Sequence, residues 1–268
     1  MLDRLLQLAD RTLVLFVGVG LGTMIGLSFG SEGQPLSAMA ALPADGGGKT
    51  LTDAGANGGK GPAKAQQCAV KFAPSAALKA KISKGQTAHI GVFGDSFGEG
   101  LYIGFYNDLR NQKNLVVHNF GKQSTGFTRY KSLNLHDDIQ GKIAGQPVDL
   151  AVISFGANDT QDIWADGALA PYMGDNWKAQ VGARAREVVE MLRGSGAQVV
   201  WVGLPKMRKP KFDDQIAQMN AFYADLMCDL GVAFVDTAKI SADKRGAYSL
   251  FMVDPDTGEE IKARAPDG

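Results

Sequence analysis

The strongest constraint on the fold of this chain is a set of short, near-continuously apolar runs separated by longer amphipathic stretches. The runs fall at residues 89–93 (HIGVF), 115–120 (LVVHNF), 150–155 (LAVISF), 199–203 (VVWVG) and 232–235 (VAFV). They are rich in Val, Ile and Phe and show little polar alternation, as strands do when both faces are buried. Between them, residues 100–111, 177–193 and 213–230 read as helices. In the last, Ile216, Met219, Asn220, Tyr223, Leu226, Met227 and Leu230 recur at helical spacing, and Gly231 follows as a stop. Strand–helix alternation of this kind predicts an α/β domain, doubly wound, with a mostly parallel five-stranded sheet. The runs fit one domain, which we assign to residues 68–268.

The N-terminal part follows other rules. Residues 12–30 (TLVLFVGVGLGTMIGLSFG) carry no charge. As a helix rising about 1.5 Å per residue they would span roughly 28 Å, close to the hydrocarbon thickness of a bilayer. Arg4 and Arg11 precede the run, and Glu32 follows it. The positive-inside rule then places the N-terminus in the cytoplasm and the rest outside. Residues 1–30 are thus expected to form a cytoplasmic stub and transmembrane signal anchor in the inner membrane, single-pass. A cleavable signal peptide is the alternative, with Ala38-Met39-Ala40 as a small-x-small site. Residues 31–67 are dominated by Gly, Ala, Pro, Ser, Asp and Lys without periodicity. Such a composition cannot bury enough surface to offset chain entropy and predicts a flexible linker.

Charge and cysteine usage narrow the partners. Lys+Arg and Asp+Glu are balanced at 28 each, which argues against nucleic acid as a partner. The chain has three histidines and two cysteines, with no CxxC or Cys/His cluster, so no structural zinc site and no cofactor are expected. An exported domain permits a disulfide between Cys68 and Cys228, and a buried free thiol at Cys228 is the alternative. Nothing in the sequence specifies an oligomeric state.

Chemistry in an open α/β sheet gathers at the carboxyl ends of strands. The first run leads into Gly94-Asp95-Ser96-Phe97-Gly98-Glu99-Gly100, a serine between glycines at a strand-to-helix turn. There the helix dipole and free amides favour a developing anion, although Ser and Asp are also ordinary helix caps. The second run leads into a polar loop containing Gly121 and Gly126. The third leads into Gly156-Ala157-Asn158-Asp159-Thr160, where Asn158 could supply an amide donor or simply make an Asx turn.

Taken in order, these blocks resemble those of the SGNH/GDSL hydrolase superfamily: GDS after the first strand, a glycine in the second loop, and GxND after the third strand. The likeness covers roughly residues 85–268. FGANDTQDI, Trp177, VVWVGLPKMRKPKF and Asn220 resemble a branch of membrane-anchored bacterial members of poorly defined substrate. The resemblance implies a flavodoxin-like SGNH fold and a serine esterase. Ser96 would be the nucleophile. The Ser96 amide, the Gly126 amide and the Asn158 side chain would form the oxyanion hole. Asp95 and Asp159 would brace their loops. The family also carries Asp-x-x-His, with the histidine as general base. Asp267 matches that aspartate, and the matching histidine position falls two residues past Gly268. His136 is the one histidine of the chain with any prospect of substituting.

The function expected is therefore an envelope esterase or deacylase acting on an ester-bearing small molecule or an O-acylated envelope polysaccharide. An O-acyltransferase uses the same chemistry with a sugar hydroxyl as acceptor. A catalytically inactive envelope binding or accessory protein is the reading from a different class. The 268-residue chain is expected to hydrolyse a short-chain aryl ester poorly, and a form carrying the histidine to be active.

Overall fold

The structure is a computed structural model that describes residues 70–253 and 258–264. The expected anchor (1–30) and linker (31–67), together with Cys68 and Asp267, lie outside the described residues. Among the described residues, no helix is long and apolar enough to cross a membrane.

The chain enters through helix α1 (Ala76–Ser83) and then alternates: β1 (Ala88–Gly94), α2 (Ser96–Leu109), β2 (Leu115–Asn119), α3 (Leu135–Ile143) and β3 (Leu150–Ser154). A small hairpin, β4 (Ile163–Ala165) with β5 (Ala168–Ala170), precedes α4 (Asp175–Gly194). The main sheet resumes with β6 (Gln198–Val202), α5 (Pro210–Asp229) and β7 (Ala233–Val235), and the hairpin β8 (Phe251–Val253) and β9 (Glu260–Lys262) follows. The five-stranded sheet has the order β2-β1-β3-β6-β7, and every pair in it is parallel.

Strand alternation sends successive side chains to opposite faces. Phe93, Ile153 and Trp201 join Ile139 of α3, Val181 and Val188 of α4, and Met219 and Tyr223 of α5 in the larger core. Val92, Val152 and Val200 pack on the other face with Leu101, Phe105 and Leu109 of α2. Both faces of β1, β3 and β6 are covered, which is why these strands read as unbroken apolar runs, whereas the run at 115–120 forms the edge strand β2, which is only partly buried and leaves Val116 exposed.

The five apolar runs and the three expected helices all form, with boundary shifts that have local causes. Helix α2 starts at Ser96, earlier than expected, because the Asp95 side chain caps it by accepting from the Phe97 N–H at 2.9 Å. Helix α5 starts at Pro210, whose missing N–H costs nothing in the first turn. Helices α1 and α3 and the two hairpins were not among the expected elements. Helix α3 is only nine residues long and buries only Leu135 and Ile139, too short a run for its spacing to stand out. Cys228 on α5 is disulfide-bonded, so the free-thiol alternative is not the one adopted.

Candidate active site

Parallel register sets the ends of the strands level. Gly94 of β1 pairs with Ser154 of β3, so the loops that follow leave the sheet side by side. The glycines of the first loop are there for space. A Cβ on Gly94 would lie 2.2 Å from the Ser154 carbonyl oxygen and 2.7 Å from Gly98 Cα. A Cβ on Gly98 would lie 3.0 Å from the Phe93 carbonyl. Helix α2 therefore presses its first turn directly onto the two strands. Both obstructions at Gly94 are backbone atoms that cannot swing aside. Gly94→Ala is expected to cost about 3 kcal/mol or more, read as a lowered urea midpoint or loss of soluble protein. An unchanged midpoint would mean that this contact is not needed.

The turn that follows buries Asp95 completely and leaves Ser96 exposed. Asp95 holds the Phe97 N–H with its side chain and the Glu99 N–H with its carbonyl. Among the described residues, no protein group accepts from the Ser96 N–H, as befits the first residue of a helix.

The second loop runs beside the first, with the Lys122 N–H donating to the Gly94 carbonyl at 2.9 Å. Thr125 Oγ1 donates to the Lys122 carbonyl at 2.6 Å, and Arg129 Nη1 to the Ser124 carbonyl at 2.9 Å. Ser124 takes φ +59°, a left-handed conformation uncommon for a side-chain-bearing residue. The buried Gly126 then seats against Asp159, where its Cβ would fall 2.5 Å from Oδ1. The Gly126 N–H, like that of Ser96, is taken by no protein group among the described residues.

The third loop ties the other two together. Asn158 Nδ2 donates to the Thr125 carbonyl at 3.0 Å and reaches Asp95 Oδ2 at 3.3 Å, next to Ser96 in the chain. Asp159 Oδ1 accepts from the Thr128 N–H at 2.7 Å and from Thr128 Oγ1 at 2.8 Å. Gln161 Nε2 donates to the same hydroxyl at 3.1 Å. The structure thus brings Ser96, Gly126 and Asn158 to one end of the sheet. Asp95 and Asp159 hold backbone and neighbouring side chains in place, the bracing role expected of them.

Two buried carboxylates in one desolvated pocket raise each other's affinity for protons. Burial pushes Asp95 up to about 7, with the charge of Asp159 adding and the Phe97 N–H, Arg129 and Asn158 opposing. Burial also raises Asp159, opposed by the N–H and hydroxyl of Thr128, by the Phe127 N–H and by the nearby charge of Arg129, and its Oδ2 is buried without a hydrogen-bond partner among the described residues. Tyr223 beneath them is raised well above the usual phenol range by burial and then by Asp159 and Asp95.

No described histidine reaches Ser96 through a hydrogen bond. His89 and His118 pair with each other, Nδ1 to Nε2 at 2.9 Å, and His89 stands near the start of β1, away from the loops. His136 turns its Nδ1 to Asp137 at 3.1 Å. The expectation for His136 as a substitute base gains no support from this geometry.

The fourth loop, after β6, completes the rim. Asn220 clamps it, accepting from the Leu204 N–H at 2.8 Å and donating to the Leu204 carbonyl at 2.7 Å. Phe97, beside Ser96, and Ala157, beside Asn158, pack against Leu204, Met207 and Ile216. Arg264, a residue no motif or spacing singled out, is buried here. Its guanidinium donates to the Lys206 carbonyl and, at 3.0 Å, to the Ser241 carbonyl, and it lies 4.8 Å over the Tyr248 ring. The chain is therefore pinned at the fourth loop shortly before Asp267.

Fold and site together define a class: a parallel α/β domain in which serine, glycine and asparagine blocks, in that order, close on one end of the sheet. More particularly, the chain belongs to the family described as protein of unknown function (DUF459), which matches residues 89–268. No curated protein matches the chain. Among solved structures it is similar to an extracellular lipase from Streptomyces rimosus, with 15% identity and a TM-score of 0.39, over 57% of this chain and 80% of that one. It is also similar to an acetylxylan esterase from Geobacillus stearothermophilus, with 14% identity and a TM-score of 0.41, over 57% of this chain and 77% of that one.

Proposed function

We propose that the protein is a serine esterase or deacylase of the SGNH type, with Ser96 as nucleophile. The observation that supports this best is the convergence of the three loops. Ser96 is exposed at the start of α2, next in the chain to Asp95, which Asn158 contacts, and the Ser96 and Gly126 N–H groups are not used by described protein groups. In this reading Ser96 Oγ attacks the ester carbonyl carbon and its proton passes to a general base. The oxyanion is met by the two backbone N–H groups and by Asn158 Nδ2. Collapse expels the alcohol, which takes the proton from the base, and water then releases the acid from the acyl-enzyme. The resemblance assigns the base to the histidine of the family's Asp-x-x-His block, in which Asp267 matches the aspartate that orients it.

The substrate class we propose is an ester-bearing small molecule or an O-acylated polysaccharide of the cell envelope, reached from a membrane anchor at residues 12–30. That placement rests on the sequence of those residues. The test is hydrolysis of a short-chain aryl ester by a form carrying the histidine. Hydrolysis that persists in full in Ser96→Ala would overturn the assignment. Asn158→Ala in the same form is expected to lower kcat about 10²–10³-fold, the effect of deleting one oxyanion donor, with KM little changed. An unchanged kcat would remove Asn158 from the mechanism.

The second reading, an inactive binding or accessory protein, is favoured by one observation: no described histidine is hydrogen-bonded to Ser96. Absence of Ser96-dependent hydrolysis in every form, with the fold intact, would decide for it.

A further inference from the structure

The oxyanion donor proposed above is already occupied. Asn158 Nδ2 has two hydrogens, and the structure gives it two acceptors, the Thr125 carbonyl at 3.0 Å and Asp95 Oδ2 at 3.3 Å. To stabilise an oxyanion, Asn158 must loosen one of them. The Thr125 bond is the shorter, and it fixes the amide against the second loop. The Asp95 bond is the longer, and its strength depends on charge: a carboxylate accepts far more strongly than a neutral carboxyl.

The surroundings of Asp95 decide which form it takes. Asp95 is completely buried and forms no ion pair among the described salt bridges. The charged and titratable groups facing it are Asp159 from the third loop, Arg129 from the short helix Phe127–Arg129, and Tyr223 from α5. Asp159 is equally buried, and the Thr128 N–H and hydroxyl both donate to it. Asp95 has only the Phe97 N–H and the long Asn158 contact. The two donors to Asp95 stand at 2.9 and 3.3 Å, against 2.7 and 2.8 Å for the two from Thr128 to Asp159, and of two neighbouring buried carboxylates the more weakly hydrogen-bonded one holds a proton more readily.

We propose that Asp95 is a positioning residue of the oxyanion site: protonated, it leaves Asn158 free to turn a hydrogen to the oxyanion, and ionised, it takes that hydrogen back. An ionised Asp95 also sets a negative charge beside the developing one. The proposal rests on the esterase reading for its effect on rate, while the proton on Asp95 and its contact with Asn158 stand independently of that reading.

The experiment is a pH series on the histidine-bearing form, wild type against Asp95→Asn, with an aryl ester whose own breakdown is subtracted. In the wild type, kcat/KM is expected to fall about tenfold per pH unit above the Asp95 ionisation. It should level off about a hundredfold lower, as for loss of one oxyanion donor. In Asp95→Asn the falling limb should be absent, whatever the absolute rate. The same falling limb in both proteins would overturn the proposal. The second measurement needs no activity and no variant. Carboxyl ¹³C resonances of ¹³C-aspartate-labelled wild type should show one buried carboxyl titrating near neutrality, and the Asn158 side-chain amide resonances should move with it. An Asn158 amide that does not respond to any carboxyl in that range would overturn the proposal even if Asp95→Asn failed to fold. If the resonances move together but no hydrolysis depends on Ser96 at any pH, the esterase reading fails and the Asp95–Asn158 coupling stands.

Discussion

Ser96→Ala is expected to abolish ester hydrolysis while leaving the protein folded. Removing an activated serine takes away the covalent route altogether, and what remains over water comes from binding and the oxyanion donors. Losses of roughly 10³-fold or more are the scale for deleting a nucleophile of this kind. The structural cost should be small. Ser96 is exposed, the cap of α2 is supplied by Asp95 rather than by Ser96, and alanine is a good helix former. Exposed substitutions of this sort change stability by about 0.5 kcal/mol or less. The two readouts must therefore separate, with activity lost and the urea midpoint nearly unmoved. A variant that loses both would say only that the loop had collapsed. A variant that keeps full activity would mean that another residue is the nucleophile.

The sequence made the sheet legible because each central strand is buried on both faces. Val92, Val152 and Val200 face α2, while Phe93, Ile153 and Trp201 face the opposite helices, so no strand needed a polar alternation. The loops were legible through their glycines, and Gly94, Gly98 and Gly126 each turn out to stand where a Cβ would strike a neighbour. Other features left no such trace. Helix α3 is held by the Asn134 cap and two buried side chains, too little for a pattern to show. The Thr128 and Arg264 anchors bond to groups far along the chain, the Asp159 carboxylate for one and the Lys206 and Ser241 carbonyls for the other. Contacts of that range follow from the fold and cannot be read from local spacing. The burial of Asp95 was equally invisible, since an aspartate before a helix is ordinarily an exposed cap.

That burial leads to the second large expected effect, on stability. Asp95 holds its proton up to about pH 7 in the folded protein, whereas an unfolded chain releases it near the ordinary value of 3.8. Between those limits the folded state binds a proton that the unfolded state does not, so stability falls as pH rises through the window. The contribution is fully present below the unfolded value and gone above the folded one. A separation of this size corresponds to roughly 4 kcal/mol at most. Asp159, also raised, acts in the same direction. Other groups oppose it. Asp149, held below its usual range chiefly by Lys81 against its own burial, loses its contribution only in more acid solution. His118, lowered by burial and by His89, favours stability as pH rises through the region just below its ordinary value. A single wild-type curve therefore mixes these effects, and the informative quantity is the difference between wild type and Asp95→Asn, in which the distant groups cancel. Urea titrations from pH 4 to pH 8 should show the variant gaining on the wild type steadily up to about pH 7, with a constant difference between the two beyond it. Parallel curves across that range would mean that Asp95 carries no proton in the folded protein, and with it the control of Asn158 would fall.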